Sequence, residues 1–353
     1  MQHDVAVMEP GGPTLAAKVA FLSGPAAYPE PVGEVVCQET HMSWVFLAGD
    51  KVYKLKKPVR FPYLDFSTLG RREAACREEL RLNRRLAPDV YLGVMRLTAT
   101  DKDLSIGGRG TTIDWLVVMR RLEERWALDR AIEDSRVKTS RLDRVVTTLG
   151  QFYHHARRPF VSPAVQLAEW HRNISRDSRV LLDRRFDLPS GLVRSIERSQ
   201  RRFLERRPGA LAQRARERRI IDGHGDLRPE HIWLTDGIKI IDCLEFNVQL
   251  RTVDPFDEIA YLSLECERLG AAWIGDYVKR GVSRALHDDP EPELFLFYRC
   301  HRAALRARLA IAHLLEPNPR TPEKWPQRAR AYLNIAGRDA VRLDWLLRTP
   351  RAR

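Results

Sequence analysis

Short apolar runs separated by polar residues fill the segment GEVVCQETHMSWVFLAGDKVYKLKKPVRF, between Gly33 and Phe61. The dense β-branched and aromatic residues are typical of strands, and Gly49-Asp50 is a tight-turn signal. Two further strand-like segments, YLGVMRLTAT and TTIDWLVVMRRL, are joined by the turn-rich DKDLSIGGRG. We therefore predict a small antiparallel sheet of five strands.

A helical pattern interrupts these strands in LDFSTLGRREAACREELRLNRRLAP. Its apolar residues between Leu69 and Leu86 recur near helical spacing, and Ser67 or Thr68 is suited to cap the N-terminus. Pro88 ends the pattern. The predicted sheet therefore contains one inserted helix.

From about Leu122 the chain becomes mainly helical, apart from one acidic hairpin. Two short strands, Ile232–Leu234 and Lys239–Ile241, flank the turn at Asp236-Gly237, and helices resume at Pro255. This order predicts an α+β protein with a small antiparallel β lobe and a larger helical lobe. We place the N-terminal lobe at residues 1–118 and the C-terminal lobe at residues 119–353.

The composition excludes several classes of protein. Apolar residues make up 44% of the chain, which is too many for a disordered protein. The N-terminus lacks the basic and apolar regions of a signal peptide, and we found no apolar run long enough to span a membrane, so we expect a cytoplasmic protein. The five cysteines are scattered without a paired motif, which favours reduced, mostly buried thiols.

The net charge of +13 raises the possibility of nucleic-acid binding. The arginines, however, are spread over helical stretches such as RRFLERRPGALAQRARERR, where they alternate with acidic and apolar residues. A solvated helix surface explains that pattern better, and no strand or helix typical of base recognition accompanies it. Nucleic-acid binding is therefore the last of three functional hypotheses.

The acidic hairpin carries the chemistry that the sequence suggests. Asp226 precedes the hairpin and Asp242 follows it, so we expect the turn to bring the two carboxylates to one end. Two such carboxylates can divide the roles of base and metal ligand in phosphoryl transfer. That reaction also needs a cation for phosphate, which Lys54, Lys56 or Lys57 can supply from the strand after Gly49-Asp50.

These residues carry a family resemblance. The chain resembles the aminoglycoside phosphotransferase and choline kinase family in its motifs HGDLRPEHI and IIDCLEF. The wider match, in chain order, is VYK, VVMRRL, HGDLRPEHI, IIDCLEF and DPFDEIAYL. The resemblance covers roughly residues 28–270 and is most specific to a bacterial aminoglycoside phosphotransferase-like subfamily. It implies a bilobal protein-kinase-like fold, a nucleotide as phosphate donor and a bound Mg²⁺, with Mn²⁺ as the alternative metal.

The resemblance assigns a role to each matching residue. Asp226 corresponds to the catalytic base and Asp242 to the metal ligand. Lys54 corresponds to the lysine that contacts phosphate, with Lys56 as the alternative, because both lie on one face of a strand. Glu79 corresponds to the partner of that lysine, and Glu73 is the alternative.

The resemblance also implies supporting positions. Met119 to Leu122, including Arg121, would pass behind the adenine and offer backbone hydrogen bonds. His224 would be a structural member of the catalytic loop, and Asp257 would brace the backbone of that loop.

Two departures from the family pattern are visible. The second metal ligand of the family is an asparagine, and His231 occupies its position here, although Mg²⁺ prefers oxygen to nitrogen ligands. The nucleotide-covering loop CQETHMSWV contains no glycine cluster, so Thr40, His41 and Ser43 would have to replace backbone contacts to phosphate.

The leading hypothesis is an ATP- or GTP-dependent phosphotransferase acting on a hydroxyl group of a small molecule. The alternative is a nucleotide-binding pseudokinase in which His231 has ended catalysis. A basic chain is a poor match for a polycationic aminoglycoside, although the polar cluster of Glu245, Asn247, Arg251 and Asp254 could provide an acidic pocket or a structural ion-pair network. The sequence identifies neither the phosphate acceptor nor the oligomeric state.

Overall fold

The computed structural model describes residues 12–316, 319 and 321–348. The chain divides into two units, one running to Ala127 and including His231–Leu250, and the other formed by Leu128–Glu230 and the chain from Arg251 onward. The boundary that we placed at residues 118 and 119 lies before the end of the first unit. The acidic hairpin groups with the first unit and not with the helical region that surrounds it in sequence.

The first unit contains an antiparallel sheet of six strands in the order β1-β2-β3-β8-β6-β7, and β4 and β5 form a separate small hairpin. The strands are Val35–Glu39 (β1), Ser43–Ala48 (β2), Lys51–Lys56 (β3), Arg60–Phe61 (β4), Leu64–Asp65 (β5), Tyr91–Ala99 (β6), Leu104–Ile106 (β7) and Thr111–Arg120 (β8). The hairpin turn between β2 and β3 is confirmed, with Gly49 in the left-handed region at φ +60°. The prediction of five strands was wrong, because the segment read as a turn contains β7.

Strand β3 has two chemically different faces. Tyr53 and Leu55 point into an apolar core that also includes Phe46 and Leu116. Lys54 and Lys56 alternate with them and therefore point to the opposite face. A shift of the strand by one residue would place the lysines in the core, so the alternation fixes the register.

The inserted helix, Leu69–Asn83 (α2), begins where the sequence indicates. The Thr68 hydroxyl accepts a hydrogen bond from the Arg71 N–H at 3.3 Å, which identifies Thr68 as the N-cap. Cys76 packs with Tyr91 and Val117 against the sheet. The same buried side of the helix carries Glu79, and α2 thereby brings a carboxylate to the sheet.

The remaining elements of the first unit are the helix Leu15–Ser23 (α1) and the acidic hairpin. The hairpin strands, which follow the short strand Ile221–Asp222 (β9) of the second unit, are Ile232–Trp233 (β10) and Lys239–Ile240 (β11). They are shorter than predicted but occupy the predicted positions.

The second unit is mainly helical, as predicted. Its helices are Leu128–Glu133 (α3), Thr139–His155 (α4), Pro163–Leu181 (α5), Ser190–Arg206 (α6), Pro208–Arg216 (α7), Pro255–Arg268 (α9), Ala272–Leu286 (α10), Pro292–Ala312 (α11) and Lys324–Arg348 (α12). The short helix Val248–Arg251 (α8) precedes Thr252–Val253 (β12), which pairs with β9. Every residue from Pro255 to Cys266 is buried, which makes α9 a central helix of this unit. The predicted α+β class is confirmed.

None of the helices in the described part of the chain is long and apolar enough to cross a membrane. The five cysteines are free, and four of them are buried, which confirms the expected thiol pattern.

We expect Gly275→Ala to destabilise the protein. A Cβ at Gly275 in α10 would lie 2.7 Å from the Cα atom of Ser263 in α9, so the two helices would have to separate. Overpacking of this kind costs roughly 1–3 kcal/mol. Thermal unfolding monitored by circular dichroism measures the change.

Gly191→Ala in α6 is the matched control, because no atom lies within 4 Å of a Cβ built there. It should leave the melting temperature unchanged or raise it slightly, since alanine is the better helix former. Equal losses in the two variants would contradict the close helix approach.

Candidate active site

Two lysines of β3 share one buried carboxylate. Lys54 Nζ lies 2.9 Å from Glu79 Oε1, and Lys56 Nζ lies 2.6 Å from Glu79 Oε2. The side chain of Glu79 is fully buried. Burial alone would raise the pKa of Glu79, but Lys54 and Lys56 outweigh it and hold the pKa below its ordinary value.

The structure therefore brings together the lysine and the glutamate that the family resemblance pairs. Both lysines contact Glu79, so the alternatives Lys54 and Lys56 differ in their other partners. Glu73 points away from this cluster and forms a solvent-exposed ion pair with Arg77 on α2. Glu79 and not Glu73 is thus the glutamate beside the lysines.

Lys54 has a second partner on the loop that follows β11. Its Nζ atom lies 2.9 Å from Asp242 Oδ1, and the Asp242 side chain is 46% exposed. Burial would lower the pKa of Lys54, but Asp242 and Glu79 outweigh it and hold the pKa well above its ordinary value. Lys54 is consequently a protonated side chain held between Glu79 and the half-exposed Asp242.

Asp242 has an unusual backbone conformation. Its φ angle is +64°, in the left-handed region that is uncommon for residues other than glycine and that is enriched at functional sites. The Asp242 N–H donates to the Tyr91 hydroxyl at 3.2 Å, and the neighbouring Cys243 N–H donates to Asn83 Oδ1 at 2.9 Å. These contacts with β6 and α2 hold the loop in place.

His231 lies on the same side of the hairpin as Asp242. The distance from His231 Nε2 to Asp242 Oδ2 is 3.6 Å, and the His231 side chain is buried. Among the described residues, no group of three histidine, cysteine or acidic side chains is close enough to hold a metal ion. The structure thus brings together the two side chains that the family resemblance assigns to the metal, without a third side chain of these types beside them among the described residues.

Asp226 lies in the second unit, and the partners of its carboxylate include Tyr261 and Arg228. The Tyr261 hydroxyl donates to Asp226 Oδ1 at 3.1 Å, and Arg228 Nε and Nη2 lie 3.0 and 2.9 Å from Oδ2. Arg228 also contacts Glu230. The carboxylate of Asp226 is therefore oriented by a phenol on one side and a guanidinium on the other.

The backbone before Asp226 is held by a buried acid from α9. Glu258 Oε1 accepts hydrogen bonds from the His224 N–H at 2.7 Å and the Gly225 N–H at 2.5 Å. The expectation that Asp257 would brace this loop was wrong, because Asp257 forms a buried ion pair with Arg302. His224 is fully buried, in agreement with a structural role.

The polar cluster read from the sequence separates into three different pairings. Glu245 contacts Lys56 in the first unit. In the second unit, Arg251 pairs with Asp222 at 2.6 Å, and Asp254 caps α9 and pairs with Arg214. Arg251 and Asp254 therefore belong to structural ion pairs of the second unit.

Two contacts hold the loop between β1 and β2, one across the loop and one with β4. Thr40 Oγ1 accepts a hydrogen bond from the Ser43 N–H at 2.9 Å, and His41 stacks on Phe61 with ring centroids 4.7 Å apart. In the segment expected behind the adenine, Met119 lies within β8, and the Arg121 N–H donates to the Asp50 carbonyl at 2.7 Å. Because the N–H of Arg121 is already bound, a backbone hydrogen bond from Arg121 to an adenine would have to use its carbonyl group.

We compared the chain with known protein families, sequences and structures. No protein-family model matches the chain. Uncharacterized proteins of Mycobacterium tuberculosis and Mycobacterium bovis are each 33% identical to it over 289 residues, covering 80% of this chain and 56% of the relative. The chain thus spans about half the length of the curated relatives it matches.

Two solved structures match nearly the whole chain. A choline/ethanolamine kinase family protein from Mesorhizobium loti has a TM-score of 0.53 and 17% sequence identity, covering 94% of this chain and 95% of that one. A choline kinase from Cryptosporidium parvum has a TM-score of 0.54 and 10% identity, covering 94% and 97% of the two chains. The chain has a choline-kinase-like fold. The fold implied by the ordered sequence motifs is thereby confirmed.

Within this choline-kinase-like fold, sequence reasoning missed the partners of Asp226. Glu258 and Tyr261 were part of the quoted DPFDEIAYL motif but received no role. Residues three apart share one face of a helix, so the sequence could have indicated that Glu258 and Tyr261 point in the same direction. In the structure they contact Asp226 and the backbone just before it. Arg228 lies only two residues after Asp226 and was equally readable.

We expect Glu79→Gln to destabilise the first unit strongly. The change replaces the charged carboxylate that buried Lys56 and partly buried Lys54 share, and removing one member of a buried ion pair costs roughly 3–5 kcal/mol. Chemical denaturation followed by circular dichroism measures the free energy of unfolding.

Glu73→Gln on the exposed face of α2 is the control. It removes only the Arg77 pair, and an exposed pair contributes at most about 1 kcal/mol. If the two variants lost the same free energy of unfolding, the shared buried carboxylate would not be the stabilising feature.

Proposed function

We propose that the protein transfers the γ-phosphate of ATP or GTP to a hydroxyl group of a small molecule. The observation that carries this proposal is the position of Lys54, whose Nζ atom lies 2.9 Å from both Glu79 and Asp242. A strand lysine held by a helix glutamate, beside an aspartate suited to a metal, is the arrangement that phosphoryl transfer requires. The choline-kinase-like fold supports the same reaction class.

In this proposal Lys54 contacts the phosphates of the nucleotide. Asp242 would hold Mg²⁺ through its half-exposed carboxylate, because Mg²⁺ binds proteins through one or two carboxylates and keeps water and phosphate oxygens as its other ligands. The ion, when bound, neutralises charge on the transferred phosphate. Lys54 would then exchange its contact with Asp242 for a contact with phosphate.

Asp226 acts as the base that orients the acceptor hydroxyl and accepts its proton. Asp226 would receive the substrate hydroxyl on a carboxylate that Tyr261 and Arg228 contact. Their hydrogen bonds restrict the rotation of the carboxylate. The acceptor hydroxyl would therefore meet an oriented base.

A second function, nucleotide binding without turnover, is favoured by His231. A neutral imidazole is a softer ligand than the amide oxygen expected at this position, and it is directed toward Asp242 at 3.6 Å. Such a module would bind nucleotide through Lys54 but would not position Mg²⁺ for transfer. Thermal shifts with ATP, with and without Mg²⁺ or Mn²⁺, separate the two functions when paired with a turnover assay.

We expect Asp226→Asn to reduce nucleotide turnover by about 10²–10⁴-fold, because the amide cannot accept the hydroxyl proton. Nucleotide consumption is measured against a panel of sugars, amino alcohols and nucleosides. Nucleotide affinity and melting temperature should remain close to those of the parent protein.

Asp236→Asn is the control, since Asp236 is an exposed residue of the hairpin turn. It should retain full turnover. An Asp226→Asn protein as active as the parent would remove Asp226 as the base, and a parent protein that binds nucleotide without consuming it on any acceptor would favour the binding module.

We expect His231→Asn to increase turnover supported by Mg²⁺ relative to that supported by Mn²⁺. The amide supplies an oxygen ligand, which Mg²⁺ prefers, in place of the imidazole nitrogen. Rates measured over a titration of each metal give the ratio. An unchanged ratio would indicate that residue 231 does not contact the metal.

A further inference from the structure

Five charged side chains of the first unit form a continuous chain of ion pairs. Its order is Glu245, Lys56, Glu79, Lys54 and Asp242. Both ends belong to the loop after β11, which we call the metal loop and define as residues 241–245. The series of ion pairs therefore begins at Asp242 of the metal loop, continues through residues of β3 and α2, and ends at Glu245 of the same loop.

Lys56 lies between Glu79 and Glu245, in the part of the ion-pair series to which the proposed reaction gives no role. Its side chain is only 1% exposed, and its Nζ atom contacts Glu245 as well as Glu79. The ammonium group also lies 4.9 Å from the centre of the Phe66 ring. A buried ammonium is costly without such partners, so this lysine is committed to its two carboxylates and is not available to a ligand.

Glu245 is equally enclosed, with 8% of its side chain exposed. Burial raises the pKa of Glu245, and the charge of Lys56 opposes that effect. The contact with Lys56 is therefore what stabilises an ionised carboxylate at this position.

We propose that Lys56 and Glu245 are positioning residues that hold the metal loop to β3, and through Glu79 to α2, independently of Lys54. The inference rests on the proposed function, in which Lys54 leaves Asp242 to contact phosphate. When it does so, Glu79 keeps a cationic partner in Lys56, and Glu245 keeps the loop attached to β3. The second pair thus allows the first pair to change partners without releasing the loop.

The rest of the metal loop is consistent with this role. The Asp242 N–H and the Cys243 N–H are bound by Tyr91 and Asn83, so the backbone is fixed at the start of the loop. The contact of Glu245 with Lys56 fixes its end. Asp242 lies between these attachments, and its carboxylate is the partly exposed group of the loop that faces Lys54.

The test compares Glu245→Gln and Lys56→Met with the parent protein in two measurements. Hydrogen exchange of the metal loop, followed by mass spectrometry without nucleotide, should become faster in both variants while the rest of the first unit exchanges at the parent rate. The Mg²⁺ concentration that half-saturates ATP binding should rise by about 10–100-fold, the usual effect of removing a group that orients a metal ligand. ATP binding without metal should change less than about twofold, because Lys54 remains in place.

Lys51→Met is the control on the same strand, because Lys51 forms a more exposed pair with Glu30. It should change neither measurement. The double variant Lys56→Met/Glu245→Gln should resemble the more affected single variant, since the two residues act through one contact.

The outcomes separate this inference from the proposed function. A parent protein that binds no ATP in the presence of Mg²⁺ contradicts the proposed function, and the hydrogen-exchange result still decides whether Lys56 and Glu245 hold the loop. Unchanged exchange in the metal loop of Glu245→Gln overturns the inference. Exchange that rises throughout the first unit, or failure of Glu245→Gln to fold, would assign the pair to general stability and would also overturn it.

Discussion

One buried carboxylate, that of Glu79, connects the elements on which the candidate site depends. Its two oxygens each bind a different lysine of β3, and those lysines bind Asp242 and Glu245 on the metal loop. A carboxylate without solvent is stable only with charged partners, so α2 and β3 must keep their relative positions for Glu79 to remain ionised. The metal loop joins these two elements through the second contacts of the same lysines.

The period of a β-strand makes this arrangement possible. Lys54 and Lys56 are two residues apart and share a face, while Tyr53 and Leu55 enter the apolar core on the other face. The sheet is thus held in register by burial on one side and by ion pairs on the other. Burial and ion pairing therefore act on opposite faces of the same strand.

Much of this was readable from the sequence, and the failures have physical causes. The Gly49-Asp50 turn, the Thr68 cap and the alternation in β3 are local signals, so the hairpin, α2 and the facing lysines could be predicted. Strand β7 was missed because its three residues lie among turn-forming residues. Local signals have little power over so short a segment, which is defined by its pairing with β6.

Long-range pairing was the larger difficulty for the site. The choice between Asp257 and Glu258 depends on which of two adjacent acids of α9 faces the backbone of residues 224 and 225, and adjacent helical residues point about 100° apart. Likewise, the period of the strand could not distinguish Lys54 from Lys56, because both lie on the same face, and in the structure both bind Glu79. Their roles differ through Asp242 and Glu245, which lie almost 190 residues farther along the chain.

The charge balance of the cluster supports the proposed role of Asp242 toward a cation. Three carboxylates, Glu79, Asp242 and Glu245, face two lysines, so the formal charge is −1 when all five are ionised. The buried members are paired closely, and the exposed carboxylate is that of Asp242, at 46% exposure. Negative charge in excess of the lysines is therefore accessible at one position, beside a lysine suited to phosphate. A divalent cation that arrives with a nucleotide would meet its opposite charge there, whereas the phosphates would meet Lys54, and both contacts form without uncovering Glu79 or Lys56.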